Sequence, residues 1–309
     1  MTAAEQDLQP DRLTHDSVEV NGVELHYAYG GDGPLILFLH GFPQSWFQFR
    51  HQLAEFSRDH LAVAPDLRGH NLSSKPEDVH AYSTCSLVED IRQLVGHLGH
   101  EQFVLVGHDV GGAVAWSFAL HHPEMLNALA VLDTPHPVLF DDALHHDSEQ
   151  QEASAYMLTA RRPDAAEVFS ADDFRVLRDS LDEPFIGQED LDYYLKSWRK
   201  PGAMAAALRW FHAEGQGPPS PDGTPASANI VRHISPLTVT VPTLVMYPTA
   251  DRWIRPASHA GLERYVPDLT FIEVEGATHW LPEERPAFVS QTIREHVERI
   301  ARRGGSVDA

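Results

Sequence analysis

The ten residues FVLVGHDVGG, Phe103 to Gly112, decide how the rest of the chain is read. An apolar run of buried-strand type enters Gly107-His108-Asp109-Val110-Gly111 directly, and a helix-like segment, Ala113 to His122, follows at once. Small residues on both sides of a central nucleophile, between a strand and a helix, form a sharp turn that lifts the central side chain into the open. The glycines are needed because strand and helix approach too closely for side chains. Asp109 stands where such turns usually carry serine. A carboxylate is already ionised at neutral pH and needs no base to activate it, so it can attack an electrophilic sp3 carbon and become an ester. The competing reading, an aspartate that only caps the following helix, leaves the flanking glycines without a purpose.

Working outward, similar apolar runs occur at Pro34 to Leu39, Leu61 to Ala64, Leu129 to Leu132 and Val241 to Tyr247. Continuous apolar runs of this length are the pattern of central strands covered on both faces. Helix-like segments, Trp46 to Phe56 and Leu87 to Leu98 among them, lie in between, which predicts a mostly parallel sheet with crossover helices. Residues 16 to 29 alternate around Asn21-Gly22 and read as a hairpin. From Pro137 to Asn229 the strand runs vanish and helix-like sequence rich in aromatic and acidic residues replaces them, ending in the Pro/Gly-dense stretch Gly215 to Ser227. The strand pattern then resumes with LTFIEVE, and a last helix is predicted from Glu283 to Arg303. The organisation is therefore one α/β core, residues 1–136 and 230–309, interrupted by a helical insertion, 137–229.

Composition removes several functions. The 309 residues carry a formal net charge of −22, with 23 Lys plus Arg against 45 Asp plus Glu. A chain this acidic and without a basic patch is a poor ligand for nucleic acid or an anionic membrane. No stretch approaches the ~20 apolar residues of a membrane span, and the N-terminus has no signal-peptide pattern. Cys85 is the lone cysteine, which excludes an internal disulfide and fits a cytoplasmic protein; it reads as a small buried residue. The 20 histidines are scattered, and none falls into a metal-ligand spacing, so no metal is expected.

Two further segments complete the chemistry. LHGFPQSW, Leu39 to Trp46, follows a strand and shapes a loop whose Phe42 amide can join the Val110 amide in an oxyanion hole. GATHWLPEERP, Gly276 to Pro286, places His279 in a loop before the final helix, where it can serve as a general base. The acid that orients its ring is Asp251 in PTADRWI, with Asp133, just past the strand ending at Leu132, as the competitor. The chain order Asp109, Asp251, His279 matches nucleophile, acid, histidine. His40, Trp46, Trp210, Phe211 and Trp280 adjoin these motifs and are expected on the wall of a mostly apolar pocket.

Together, HGFPQSW, GHDVGG and the THW loop resemble the epoxide hydrolase branch of the α/β-hydrolase superfamily, which also holds haloalkane and fluoroacetate dehalogenases. The resemblance covers nearly the whole chain. It implies the α/β-hydrolase fold, a mostly parallel central sheet with helices on both faces and an inserted helical cap, and no organic cofactor. It also implies opening of a lipophilic epoxide to an aspartyl ester that water then hydrolyses to a diol, and it leaves room for a homodimer. The dehalogenases place Trp or Arg directly after the nucleophile, where this chain has Val110; the fluoroacetate enzymes take their acid from the position of Asp133. In epoxide hydrolases two cap tyrosines donate to the epoxide oxygen. Tyr156, seven residues before Pro163, fits the first; the second position holds Phe211, in Arg209-Trp210-Phe211-His212, and lacks a hydroxyl. His212, Tyr193, Tyr194 and His136 are the candidates to replace it. The alternatives are a dehalogenase, or a non-hydrolytic member that binds a ligand or rearranges a secondary metabolite.

Overall fold

Eight strands form one sheet in the order β1-β2-β4-β3-β5-β6-β7-β8. They are β1 Thr14–Val20, β2 Val23–Gly30, β3 Leu35–Leu39, β4 Leu61–Pro65, β5 Phe103–His108, β6 Leu126–Leu132, β7 Thr243–Pro248 and β8 Leu269–Val274. The computed structural model describes residues 13–220, 223–225 and 237–304. β2 pairs antiparallel with both β1 and β4, and every other pairing is parallel. The predicted hairpin is present, with Asn21 and Gly22 both at positive φ (45° and 74°). The expected apolar runs are strands, β3 and β5 being buried along their whole length.

The helices are α1 Arg50–Phe56, α2 Thr84–His97, α3 Val110–His121, α4 Pro137–His146, α5 Ser148–Ala153, α6 Tyr156–Ala160, α7 Ala165–Ser180, α8 Gln188–Trp198, α9 Ala203–Glu214, α10 Leu281–Glu284 and α11 Pro286–Gly304. Two boundaries differ from the sequence reading for local reasons. Trp46–Phe49 is a 3-10 turn preceding α1, and α2 begins at Thr84 because the Ser83 hydroxyl accepts from the Ser86 N–H. Cys85 consequently lies in the first turn of α2 and is exposed, not buried. The last helix is divided in two, α10 and α11. α3 is apolar all round and buried from Val110 to Leu120, as a helix packed between the sheet and α2 must be.

Helices α4 to α9 all fall between β6 and β7. α7 is broken at Ala171–Phe174, where Asp172, Asp173 and Phe174 are left-handed. The expected end of the insertion at residue 229 lies outside the described residues. No described helix is long and apolar enough to cross a membrane. The consequence for function is positional: β3, β5, β6, β7 and β8 run parallel side by side, so the loops after their C-terminal ends gather at one edge, beneath the inserted helices.

Candidate active site

Asp109 sits between β5 and α3 with φ 51° and ψ −120°, a backbone conformation that L-residues adopt only when their surroundings impose it. A Cβ on Gly111 would collide with the Leu39 backbone, and one on Gly41 would lie 2.6 Å from the Asp109 Cβ. Glycine at both positions therefore lets the loop after β3 close onto the turn. The result is an asymmetric carboxylate. Its Oδ1 accepts a 2.7 Å hydrogen bond from the Phe42 N–H, and the Val110 N–H supplies a second backbone bond. Its Oδ2 lies 3.9 Å from His279 Nε2, and the side chain retains 20% exposure. Burial raises the Asp109 pKa, while His279 and the two amides pull against that rise.

His279 is 4% exposed, in the loop between β8 and α10. Its Nδ1 meets two carboxylates, Asp133 Oδ2 at 2.7 Å and Asp251 Oδ2 at 3.0 Å. The sequence presents these as competitors; the fold brings both to the ring. Burial opposes the imidazolium, but the Asp251 charge and the bonds to both acids outweigh it and raise the His279 pKa well above the usual histidine value. Asp251 is opposed by burial too, yet His279, Asp133 and the Trp253 N–H hold it down to about 2. Asp133 goes the other way, pushed well above the carboxylate range by burial and by Asp251.

Behind the triad runs a buried relay. The Gly41 N–H donates to Gln48 Oε1 (3.0 Å), Gln48 Nε2 lies 2.7 Å from His108 Nδ1, and His108 Nε2 lies 2.9 Å from the His279 carbonyl. Burial and the neighbouring His279 push the His108 pKa well below its usual value, so the ring is neutral. It donates through Nε2 to the carbonyl and accepts from Gln48. Ligand-type atoms of His108, Asp133 and His279 lie within 4.8 Å of one another, but both His108 nitrogens are already used by Gln48 and the His279 carbonyl. The cluster is a hydrogen-bond network. Sequence reasoning missed Gln48, which the spacing HGFPQSWFQ hides on a 3-10 turn.

Two cavity lobes meet at Asp109, Tyr156, Trp253 and His279. The first is lined also by Val110, Phe140, Trp210, Phe211 and Gln216, the second by Phe42, Phe169, Leu177 and Trp280. Trp253, two residues past Asp251, packs edge-on against His279 with ring centres 4.9 Å apart. Of the expected wall residues, Trp210, Phe211 and Trp280 are in place, and His40 and Trp46 are not. The His40 ring is fully buried and spans the Gly41 carbonyl and the Leu67 N–H. Trp46 packs against His15 and Tyr193. Both brace the loop from outside the cavity.

The Tyr156 hydroxyl bonds to no described residue and borders both lobes; burial and the Asp109 charge raise its pKa well above the usual phenol value. Phe211 stands edge-on to Tyr156 and to Phe42 and supplies no donor. None of the four substitutes reaches the lobes. Tyr194 donates to Glu283 (2.9 Å), Tyr193 stacks on Phe47, His136 stacks on Tyr265, and His212 faces a surface groove with Arg162 and Arg209. Trp210 Nε1 and Gln216 Oε1 are buried without partners among the described residues and belong to side chains of the first lobe.

An α/β-hydrolase fold family model matches residues 34–286. The chain belongs to the α/β-hydrolase fold family, in its epoxide hydrolase branch. It is 33% identical to the AB hydrolase superfamily protein YfhM of Bacillus subtilis, over 91% of this chain and 96% of that one. It is 31% identical to epoxide hydrolase 3 of Xenopus tropicalis, over 91% and 76% of the two chains. Among solved structures, the epoxide hydrolase of Bacillus megaterium in complex with an inhibitor superposes with a TM-score of 0.83 at 31% identity, covering 92% of this chain and all of that one.

Proposed function

We propose that this α/β hydrolase hydrolyses lipophilic epoxides to vicinal diols through an ester on Asp109. The observation that carries the reading is the division of labour within one carboxylate: Oδ1 accepts from the Phe42 N–H while Oδ2 lies toward His279, with the Val110 N–H as a further backbone donor to the group. In the first step Oδ2 attacks an epoxide carbon, the C–O bond breaks, and the departing oxygen takes the Tyr156 proton. In the second, His279 Nε2 takes a proton from water, whose oxygen adds to the ester carbon. Negative charge then develops on Oδ1, where the Phe42 amide already points, and the Val110 amide is the second donor of the oxyanion hole. Collapse releases the diol with the original Oδ2, which takes the proton from His279; water's oxygen stays on Asp109, and the remaining proton of that carboxyl returns to Tyr156. Esterification also removes a negative charge beside His279, which lowers the pKa of the ring at the moment it must act as a base.

Supporting this reading, the lobes are mostly apolar and Val110, not a halide or carboxylate ligand, follows the nucleophile. The six helices between β6 and β7 support a cap of residues 137–229 on a core of 1–136 and 230–309. The acidic chain with one cysteine favours a cytoplasmic enzyme needing no metal or organic cofactor; a homodimer is compatible with it.

Intact-protein mass spectrometry of His279→Gln with aryl and alkyl epoxides tests the reaction. We expect the variant to gain the mass of one whole epoxide on the Asp109 peptide. Addition of an alkyl group with halide release from an alkyl halide panel would move the protein to the dehalogenases. Full turnover by Asp109→Asn, without deamidation, would refute the ester mechanism.

A further inference from the structure

Two acids on one imidazole nitrogen are one more than a nucleophile–acid–histidine triad needs. Asp133 and Asp251 leave the ends of adjacent strands, β6 and β7, which pair at Leu132 and Met246. Their side chains are fully buried and converge on the single hydrogen of His279 Nδ1, at 2.7 and 3.0 Å. Two ionised carboxylates this close and fully buried repel strongly, so they hold a proton in common. The surroundings say which oxygen lacks it. Asp251 Oδ1 accepts the Trp253 N–H at 2.6 Å, whereas Asp133 Oδ1 has no partner among the described residues. An anionic oxygen is costly to leave unpaired in the interior. The charge therefore sits on Asp251, and Asp133 carries the proton on Oδ2, the oxygen that meets Asp251 Oδ2 at His279 Nδ1.

We propose that Asp133 and Asp251 serve His279 as one acid unit holding a single proton, so that either carboxyl alone can orient the imidazole. As a role in turnover this rests on the function proposed above. The unit presents one negative charge to the ring. Two full charges would lock a proton on His279 and deny the second step its base; one charge steadies the imidazolium without trapping it. Asp133 is then a positioning residue and a reserve. If Asp251 is neutralised, Asp133 gives up its proton and becomes the charged acid. The other titratable groups facing the unit are His108 and Asp109 at the end of β5, Tyr247 on β7, His259 in the turn Pro256–His259, and Tyr156 from the inserted helices.

The test compares Asp133→Asn, Asp251→Asn and the double variant by two readouts. The first needs no substrate: the far-downfield proton NMR resonance of a strongly hydrogen-bonded histidine Nδ1–H. The second is the rate at which the Asp109 ester of styrene oxide disappears, followed by mass in a single turnover. Each single variant should keep the resonance and hydrolyse the ester within about tenfold of wild type. The double variant should lose the resonance and slow ester hydrolysis by ~10³–10⁴, the scale of losing the orienting acid in other triads. Loss of the resonance in Asp251→Asn alone, or a single variant as slow as the double, would overturn the proposal. Should the double variant fail to fold, the resonance in the two singles decides. Should wild type form no ester, the proposed function falls while the resonance still judges the acid unit.

Discussion

At the residue scale the site is defined by which oxygen and which nitrogen is spoken for. Asp109 and His279 were legible in the sequence because their neighbours are unusual: glycines that only a strand-to-helix turn requires, and a histidine between a strand and the last helix. Asp133 and Asp251 were legible as alternatives only, since each follows a buried strand and nothing in one dimension shows two strand ends converging. The missing hydroxyl at Phe211 was also visible, but not that every expected substitute points elsewhere. Phe211→Tyr should therefore add a second donor beside Tyr156 and raise the rate of ester formation on the order of tenfold, less than the ~10²–10³ lost when an established donor is removed. Stopped-flow measurement of tryptophan fluorescence with an aryl epoxide checks this; an unchanged rate would mean that Tyr156 alone suffices. Asp133 gives a stability prediction as well. Its folded pKa is raised, so between the unfolded value of ~3.9 and the folded one the native state binds the extra proton, and stability falls as pH rises. Asp133→Asn removes that penalty. Its melting temperature relative to wild type should climb from pH 4 to pH 7, and a difference independent of pH would contradict a protonated Asp133.

At the scale of elements, the loop after β3 is held from both sides. From below, Gln48 ties the Gly41 N–H to His108 and through it to the His279 carbonyl. From above, Trp198 at the end of α8 donates to the Pro43 carbonyl at 2.6 Å, one residue past the Phe42 amide that meets Asp109. Trp198→Phe keeps the apolar ring and deletes that bond. It should slow ester hydrolysis by up to about tenfold, the rate equivalent of ~1.4 kcal/mol, with little change in the preceding alkylation; equal loss in both steps would point to a general loosening instead. The sequence showed α8 only as aromatic helix. A tryptophan's packing face and its single donor cannot be told apart without the partner it meets, which here lies 155 positions earlier.

Across the whole molecule, one buried group gathers several of the ties between the inserted helices and the core. Glu283 in α10 accepts from Arg50 (2.7 Å), from the Tyr194 hydroxyl of α8 (2.9 Å) and from Gln44, while Arg50 also reaches Asp190 (3.0 Å). Glu283→Ala leaves Arg50 with Asp190 as its one carboxylate among the described residues and should cost ~3 kcal/mol, lowering the melting temperature by roughly 10 °C; a shift within 2 °C would show that the junction carries no stability. The parallel strands and the change to helices at Pro137 were readable from apolar runs and their disappearance, but the strand order was not. The junction was not, because its members lie on four separate segments and look like ordinary surface charge.

The two lobes on either side of Asp109 have different walls, one with Trp210 and Gln216, the other with Leu177 and Trp280. Each substituent of an internal epoxide must choose between them, and that choice decides which ring carbon faces Oδ2. A symmetric cis-epoxide has no handedness of its own, and inversion at one carbon or the other yields mirror-image diols. The unequal lobes should therefore turn an achiral substrate into one predominant enantiomer, readable as unequal peaks on a chiral column.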